Sequence, residues 1–409
     1  MPCNYFKKGA LPLVREIQLR WLLTGALLSS IGMSFIWPLT SIYLHNCLDI
    51  SLTVIGVVLL LNSLGSVVGS IIGGRLYDQG DPYRLALFGV GLTGLVLIGL
   101  TLWHGWPAYS IWLTLLGIGS GWNITMVNSL GTSIRSKDGR YVFTMLYFAQ
   151  NVGVVVGTAL VGFVYDISIT LLFLIAVVLY GIFFGIVLIK FRPAAKTAQP
   201  TRKETTTETP KPSLPDANKL MLTTFFFALL IFWLMYQQWS SNLSVYMTGL
   251  GIPLRNYSFL WTLNAALIVV IQLFLNWFNE HVNGIQIIYQ ILFGLVMVAI
   301  SFLILITAHT YAFFMIAMIA LTTGEATASP AIPALVNDLT PREIKGRYQG
   351  FVNSWGSVGR ALGPLFGGLI IDWLSYRSLF IIAAVGVFAL VAVLIVVWIR
   401  TRRRLVRYQ

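Results

Sequence analysis

Two charged residues lie deep inside stretches of the sequence that are otherwise uncharged, and they are best placed to do chemistry. Glu325 is 15 residues past Thr310, where an apolar run begins, which puts it roughly 22 Å along a helix. A carboxylate at that depth in hydrocarbon costs at least about 2.5 kcal/mol unless it is paired, hydrated or protonated. The chemistry that Glu325 could perform is therefore the binding and release of a proton.

Arg360 is the second deep charge and the natural partner of Glu325. It lies 12 residues past Tyr348, roughly 18 Å along the next helix, which runs in the opposite direction. The two depths sum to about 40 Å, close to the thickness of a bilayer with its headgroups, so both residues lie at similar height. We expect them to approach each other, directly or through water, in at least one state. A pair that breaks when Glu325 is protonated would act as a switch, whereas a permanent ion pair would be structural.

The elements that must position these residues are helices that cross a membrane. The chain of 409 residues is 57% hydrophobic and only 10% charged, which excludes an ordinary soluble domain and a disordered chain. Uncharged runs of about 20 residues are long enough to cross a hydrocarbon core, and a β-barrel would show short alternating segments instead. Twelve runs of this length are present, ten of them uncharged and two interrupted only by Glu325 or Arg360: 21–44, 52–74, 85–103, 109–134, 141–165, 167–189, 220–247, 257–278, 285–308, 310–337, 348–371 and 378–399. The predicted fold is an all-α polytopic membrane protein with twelve transmembrane helices.

The basic residues predict the orientation of these helices. With the N-terminus inside, we count 24 of the 27 Lys and Arg residues in cytoplasmic segments. This asymmetry predicts an N-in, C-in topology, and it explains the net charge of +13 without nucleic acid as a partner. The basic tail is expected to anchor the chain near anionic lipid.

The runs fall into two sets of six around a segment rich in Pro, Thr and Lys, which we interpret as a cytoplasmic linker. Gly153, Gly157, Gly162 and Asp166 recur 206 positions later as Gly359, Gly363, Gly368 and Asp372. A parallel duplication of this kind predicts two pseudo-symmetric bundles with a substrate path between them near the midplane. The expected organisation is an N-terminal segment (1–20), a six-helix bundle (21–189), the linker (190–219), a second bundle (220–399) and the tail (400–409).

The loop after the second run is similar to the signature of the major facilitator superfamily. It reads GGRLYDQGDPYR, in which Gly74 and Asp78 match and Arg84 supplies the trailing positive charge. The resemblance implies that these three residues form a conformational latch, with the acid facing a helix N-terminus or a basic cluster. The alternative is a solvated loop carboxylate.

The tenth and eleventh runs resemble the twelve-span drug:proton antiporter branch of that superfamily. The matching stretch, 323–368, contains a Gly-Glu pair at Glu325 and a Gly-Pro pair at Gly363 and Pro364. The resemblance implies that Glu325 takes part in proton coupling or substrate binding. For the small residues of runs five and eleven, helix packing is the favoured interpretation: Gly153, Gly157, Gly162, Gly359, Gly363, Pro364 and Gly368.

Aromatic and amide side chains on shared helical faces are the candidates for a substrate cavity. Such a lining suits large, flat and partly apolar compounds, and cations through cation–π contacts. Contacts between helices are the alternative for each of them. The candidates are Trp122, Asn123, Tyr147, Gln150, Asn151, Trp239, Asn242 and Tyr246.

Two positions depart from the resembled branch. Members often carry an acid in the first span or before the aromatic-Ala-Gln-Asn of the fifth, whereas here the first run has none and the fifth has Leu146. Glu325 is then the one deep acid available to recognise a cation or couple protons.

The leading functional hypothesis is proton-coupled efflux of small amphipathic or drug-like compounds across the plasma membrane. A carrier of one metabolite class (a sugar, peptide or amino-acid derivative) is the second, and a non-transporting sensor or lipid-handling protein is the third. An enzyme is disfavoured because the four histidines are scattered, and no cofactor, metal site or catalytic residue is predicted. The absence of a phosphate-binding loop excludes ATP drive and implies no ATPase subunit, so the partners are the substrate, protons and the bilayer.

Overall fold

Helices form every regular element of the described residues. The computed structural model describes residues 17–34, 36–134, 136–137, 139–165, 167–192, 214–281, 287–341 and 344–408, without the side chains of residues 37, 38, 78, 139, 140, 144, 276–281 and 345–347. A short π-helical turn, Tyr43–Cys47, follows the second helix. The α-helices are α1 (Leu19–Ser34), α2 (Ile36–Ile42), α3 (Leu52–Gln79), α4 (Pro82–Leu102), α5 (Ala108–Thr132), α6 (Gly139–Val164), α7 (Ile169–Lys190), α8 (Asp216–Ser241), α9 (Leu243–Gly249), α10 (Leu254–His281), α11 (Ile287–Leu305), α12 (Tyr311–Asp338), α13 (Lys345–Trp373) and α14 (Tyr376–Thr401).

Short polar residues define where several helices begin. The side chains of Ser51, Ser168 and Ser375 accept hydrogen bonds from backbone N–H groups in the first turns of α3, α7 and α14. Asp81 does the same for α4, where Pro82 occupies the first helical position without losing a hydrogen bond. These caps place the helix ends close to the ends of the apolar runs.

Ten helical segments of the described chain are long and apolar enough to cross a bilayer. Large apolar side chains cover their outward faces, for example Leu95, Leu273 and Val385, each about 60% exposed or more. A soluble protein does not expose an apolar belt of this extent, so lipid must cover it. The chain is an integral membrane protein.

The α5 and α13 helices correspond to two of the twelve predicted spans but are absent from these ten. Both are as long as the others, and both carry serine and amide side chains, with Arg360 on α13 as well. Their lower hydropathy has a structural reason, because both helices line the polar cavity described below.

The helices pack in equivalent pairs in two halves of the chain, α1–α7 and α8–α14. In the first half α1 packs on α6 and α7, α3 on α5, and α4 on α5 and α7. In the second half α8 packs on α13 and α14, α10 on α12, and α11 on α12 and α14. When the long helices of each half are numbered one to six, the same pairs are in contact in both halves.

The halves meet mainly through α3 with α13 and α6 with α10, and α2 also contacts α8 and α9. Close contacts occur at the end of the bundle where α3 and α10 begin and α6 and α13 end, which we call the far end. A Cβ on Gly56 would lie 2.5 Å from Leu365 Cα, and one on Gly162 would lie 2.8 Å from Ser258 Oγ. Only glycine permits backbones to approach this closely, so the small residues bring the halves together at the far end.

Candidate functional site

A cavity of about 790 Å³ lies between the halves, level with the middle of the long helices. The first half contributes α1, α2, α3 and α5, and the second half contributes α8 and α13. Its lining consists of Ser29, Ser30, Met33, Ile36, Asn62, Ser63, Leu64, Ser66, Val67, Ser120, Ile124, Gln237, Asn353, Ser354, Ser357, Val358, Arg360 and Ala361. The cavity is large enough for a drug-sized molecule.

The chemistry of this lining is mostly neutral and polar. The lining comprises seven serines, three amide side chains and seven apolar side chains, and Arg360 is the one formal charge among these eighteen residues. The hydroxyls of Ser30, Ser66 and Ser354 have no hydrogen-bond partner among the described residues. The cavity can therefore offer hydrogen bonds and one positive charge to an occupant.

Arg360 is held by an aromatic ring. Its guanidinium carbon lies 4.5 Å from the centre of the Trp233 ring, and its Nη2 donates to Ser357 Oγ at 3.1 Å. The indole fits against α13 because a Cβ on Gly356 would lie 3.1 Å from Trp233 Cδ1. A cation over an indole is attracted by the negative face of the ring, so Trp233 fixes the position of the charge.

Glu325 lies near the middle of α12, half-buried, and its carboxylate accepts two hydrogen bonds. The hydroxyl of Tyr236 on α8 donates to Glu325 Oε2 at 3.1 Å, and Nδ2 of Asn264 on α10 donates to it at 3.0 Å. Asn264 also donates to Thr322 Oγ1 at 2.9 Å, one turn before Glu325. Both donors are neutral, so the carboxylate can change protonation without breaking an ion pair.

Glu325 and Arg360 do not form an ion pair in this conformation; the ion pairs of the described residues are Arg84–Asp81 and Lys219–Asp216. Two rings on α8 connect them instead, since the centres of Trp233 and Tyr236 are 5.3 Å apart. Arg360 contacts the first ring and Glu325 the second. The expected approach of the two charges stays a prediction for another state.

Sequence reasoning missed Trp233, Tyr236 and Asn264. The available signal was weak, because aromatic residues are frequent in apolar runs and Asn264 is one amide among many. Their contacts follow from the packing of α8 and α10 against α12 and α13, which no spacing within one helix reveals.

None of the eight residues singled out as cavity candidates lines the cavity in this conformation. Six are in contacts between or within helices: Trp122 donates to Leu85 O, Asn123 to Thr93 Oγ1, Asn151 to Tyr147 O, Asn242 to Gln238 Oε1 and Tyr246 to Ala308 O, while Trp239 is fully buried. On α6, Tyr147 and Asn151 are exposed and Gln150 is half-buried. A role for these residues in substrate binding stays a prediction.

The three residues of the expected latch are not brought together by the described contacts. Arg84 Nε lies 3.6 Å from Asp81 Oδ2, three residues before it, and both belong to the start of α4. A Cβ on Gly74 would make an ordinary contact with Thr125. The side chain of Asp78 lies outside the described residues, so its role as a latch stays a prediction.

A carboxylate bridges the halves at the far end instead. Asp372, at the end of α13, accepts hydrogen bonds from Thr53 N at 2.7 Å and Leu52 N at 3.3 Å. These N–H groups begin α3 and have no partner within their own helix, so Asp372 caps α3 across the interface. Its counterpart in the repeat, Asp166, lies outside the described residues.

The recurring glycines sit where neighbouring helices come close. A Cβ on Gly153 or Gly157 would meet α1, and one on Gly359 or Gly363 would meet α8. A Cβ on Gly162 would meet α10, and one on Gly368 would meet α3. Pro364 lies inside α13, and its carbonyl is among the atoms nearest Gly56. Glycines at equivalent positions of α6 and α13 thus contact equivalent helices in the two halves.

Comparison with known proteins identifies the family. The profile of the Major Facilitator Superfamily matches residues 22–326 and 290–408. YttB of Bacillus subtilis (strain 168), an uncharacterized MFS-type transporter, is 38% identical over 369 residues, which are 88% of this chain and 90% of that protein.

Solved transporters share the fold. A crystal structure of a mutant of the peptide transporter POT has a TM-score of 0.78 at 15% identity, covering 95% of each chain. A mutant of the nucleoside transporter NupG has a TM-score of 0.73 at 12% identity, covering 93% of this chain and 99% of that one. The chain is a membrane transporter that belongs to the Major Facilitator Superfamily.

Proposed function

We propose that the protein is a proton-coupled exporter that exchanges protons for small amphipathic compounds across the plasma membrane. Twelve helices cross the bilayer, with both termini in the cytoplasm, and the two bundles rock about the central cavity. The far end then faces outward and is closed by Asp372 and the contacts of α3 with α13. This arrangement corresponds to an inward-facing state.

One observation carries the proposal: a single carboxylate in the middle of α12 is held by neutral donors and connected through two rings to the cavity. Its hydrogen bonds stabilise the ionised form, and a position in the middle of a membrane-spanning helix favours the neutral one. Movement of α8 or α10 during alternation would remove Tyr236 or Asn264 from Glu325. Loss of either donor shifts the balance toward the protonated form, which couples conformation to proton binding.

The connection through Tyr236 and Trp233 gives substrate binding a route to the proton site. An occupant of the cavity that contacts Arg360 changes the position of the Trp233 ring, against which Tyr236 packs. Because the Tyr236 hydroxyl is one of two donors to Glu325, substrate and proton would influence each other's binding.

Transport in vesicles tests the proposal. Purified protein is reconstituted, a pH gradient is imposed, and the movement of dansyl-labelled small molecules is followed by fluorescence. We expect gradient-driven movement in the wild type and its loss in Glu325→Gln. Asp216→Asn is the matched control, because Asp216 is an exposed carboxylate paired with Lys219 away from the cavity.

Unchanged gradient-driven movement in Glu325→Gln would contradict the role of Glu325. If the pH gradient does not change the movement of the dansyl compounds by the wild type, proton coupling itself would be contradicted.

The serine and amide lining supports a second candidate, the carrier of a specific metabolite. Side chains that donate and accept hydrogen bonds discriminate strongly between substrates with and without matching groups. Efflux of one compound class, with no movement of unrelated dansyl compounds, would favour this candidate over broad efflux.

A further inference from the structure

We propose that the central cavity binds substrates through an anionic group, a carboxylate or an equivalent oxyanion, at a subsite built by Arg360, Trp233 and Ser357. This inference rests on the proposed function, because it names the substrate class of the same cavity. It narrows the amphipathic compounds expected from the sequence to anionic ones, and it differs from the suggestion that cations bind through cation–π contacts.

The charge of the cavity lining is the first observation. Arg360 is the one formal charge among the eighteen lining residues, and no carboxylate of the described chain faces it. A guanidinium keeps its charge at any physiological pH, so the cavity is permanently positive. A cationic substrate would meet an uncompensated like charge in an environment that screens it poorly.

The geometry of Arg360 is the second observation. The guanidinium carries five N–H donors, and Ser357 Oγ accepts from one of its nitrogens. Trp233 covers one face of the guanidinium at 4.5 Å and offers no acceptor in its plane. The remaining donors have no partner among the described residues, and a planar fork of this kind matches two oxygens of a carboxylate.

The way α8 and α13 pack makes this subsite a built feature. The Trp233 indole lies against α13 where Gly356 and Gly359 have no side chains: a Cβ on Gly359 would lie 3.0 Å from Trp233 Cβ. The ring therefore sits beside Arg360 and restricts the guanidinium before any ligand arrives. Such preorganisation lowers the entropy that binding costs.

The rest of the cavity suits the apolar remainder of an amphipathic anion. Met33, Leu64, Val67 and Ile124, all from the first half, provide apolar surface. The substrate would thus contact both halves, with its anionic group on α13 and its apolar part on α1, α3 and α5. A ligand that bridges the halves is what a rocking carrier needs.

Equilibrium binding of three matched probes tests the proposal. Dansylglycine, dansylglycinamide and dansylethylenediamine share one fluorophore and carry an anionic, a neutral and a cationic group. Binding to the purified full-length protein in detergent is measured by the rise of dansyl fluorescence, with no gradient present. We expect dansylglycine to bind at least tenfold more tightly than dansylglycinamide, because the charged hydrogen bonds to Arg360 exist only for the anion. The cation should bind most weakly.

Variants assign the preference to Arg360. Arg360→Gln should bind dansylglycine and dansylglycinamide alike, whereas Arg360→Lys should keep part of the preference because it keeps the charge without the fork. Lys219→Gln, which removes an exposed cation far from the cavity, should behave as the wild type. Retained binding of dansylglycinamide shows that Arg360→Gln is folded.

Several outcomes would overturn the proposal. They are equal binding of the three probes by the wild type, tightest binding of the cation, a preference for the anion that survives in Arg360→Gln, and no binding of dansylglycine at about 1 mM. Failure of proton coupling is distinguishable, because it appears in vesicle flux and leaves the binding preference intact. For the same reason Glu325→Gln should keep the preference for the anion.

Discussion

Removing the negative charge of Asp372 should open the far end of the transporter. The substitution Asp372→Asn keeps a side chain of the same shape and one acceptor oxygen. It removes the charge that faces the N–H groups of Leu52 and Thr53 at the start of α3. Because this contact joins the two halves, it stabilises only the state in which the far end is closed.

The size of the effect follows from the geometry. An anion at a helix N-terminus typically contributes about 0.5–1 kcal/mol at partly exposed sites. Losing that amount from the closed state alone raises the ratio of open to closed molecules by a factor of about 2 to 5. The overall free energy of unfolding should change by no more than about 1 kcal/mol, since the rest of the interface between α3 and α13 remains.

Distances between spin labels measure this ratio directly. Labels on cysteines at Leu102 and Leu374, two exposed positions near the ends of α4 and α13, report separation of the halves. Cys3 and Cys47 are replaced by serine so that the labels are unique. Asp372→Asn should increase the long-distance population about 2- to 5-fold.

The matched control is Ser51→Ala. Ser51 caps the same helix from within its own half, through Val54 N, so its loss should destabilise both states equally. An identical distance distribution in Asp372→Asn and the wild type would refute the role of the Asp372 bridge in closing the far end. An equal shift in Ser51→Ala would show that the effect comes from the end of α3 and not from the bridge.

Three further predictions concern the proton site, the packing and the tail. Tyr236→Phe should slow gradient-driven flux about 10-fold, because Glu325 loses a donor, while binding of dansylglycinamide stays unchanged; equal flux would contradict this. Gly363→Ala should lower stability by about 1–3 kcal/mol in thermal unfolding, because a Cβ would lie 2.5 Å from a side-chain carbon of α8, whereas Gly181→Ala, with open space around it, should not. Asn218→Ala should make the tail more sensitive to protease, because buried Asn218 bonds both backbone groups of Val406; an unchanged cleavage rate would count against this.

The sequence predicted the fold because its main determinants are local. The length of an uncharged run shows directly whether it can cross a bilayer. Helix starts are marked by residues that cap the first turn, such as Ser51, Asp81 and Ser375. The repeat was visible because matched glycines such as Gly157 and Gly363 serve matched contacts in both halves. Neither inference required knowledge of how distant helices pack.

The cavity was harder to predict because it depends on which face each helix turns inward. Trp122 and Asn123 looked like lining residues, yet they pack between α4 and α5, and Ser120 and Ile124 of the same helix line the cavity. Large aromatic side chains fill the space between helices, whereas small serines leave room for a ligand. In this conformation, the aromatic and amide residues singled out from the sequence therefore include several that pack between helices and none that line the cavity.

The depths of Glu325 and Arg360 could be predicted from residue counts, but their neighbours could not. Both lie near the middle of their helices, on adjacent members of the second half. Trp233 and Tyr236 occupy the space between them because α8 packs against α13. The side chains of a third helix, α8, therefore separate Glu325 from Arg360 in this conformation.

Proton movement driven by a substrate gradient shows whether the transporter exchanges protons for substrate at Glu325. Vesicles with the reconstituted protein are loaded with dansylglycine and a pH-sensitive dye, without an imposed pH gradient, and diluted into buffer lacking the probe. If the transporter exchanges protons for substrate at Glu325, outflow of the probe should acidify the lumen in the wild type and in Asp216→Asn but not in Glu325→Gln. A lumen that becomes alkaline, or acidification that persists in Glu325→Gln, would contradict the account.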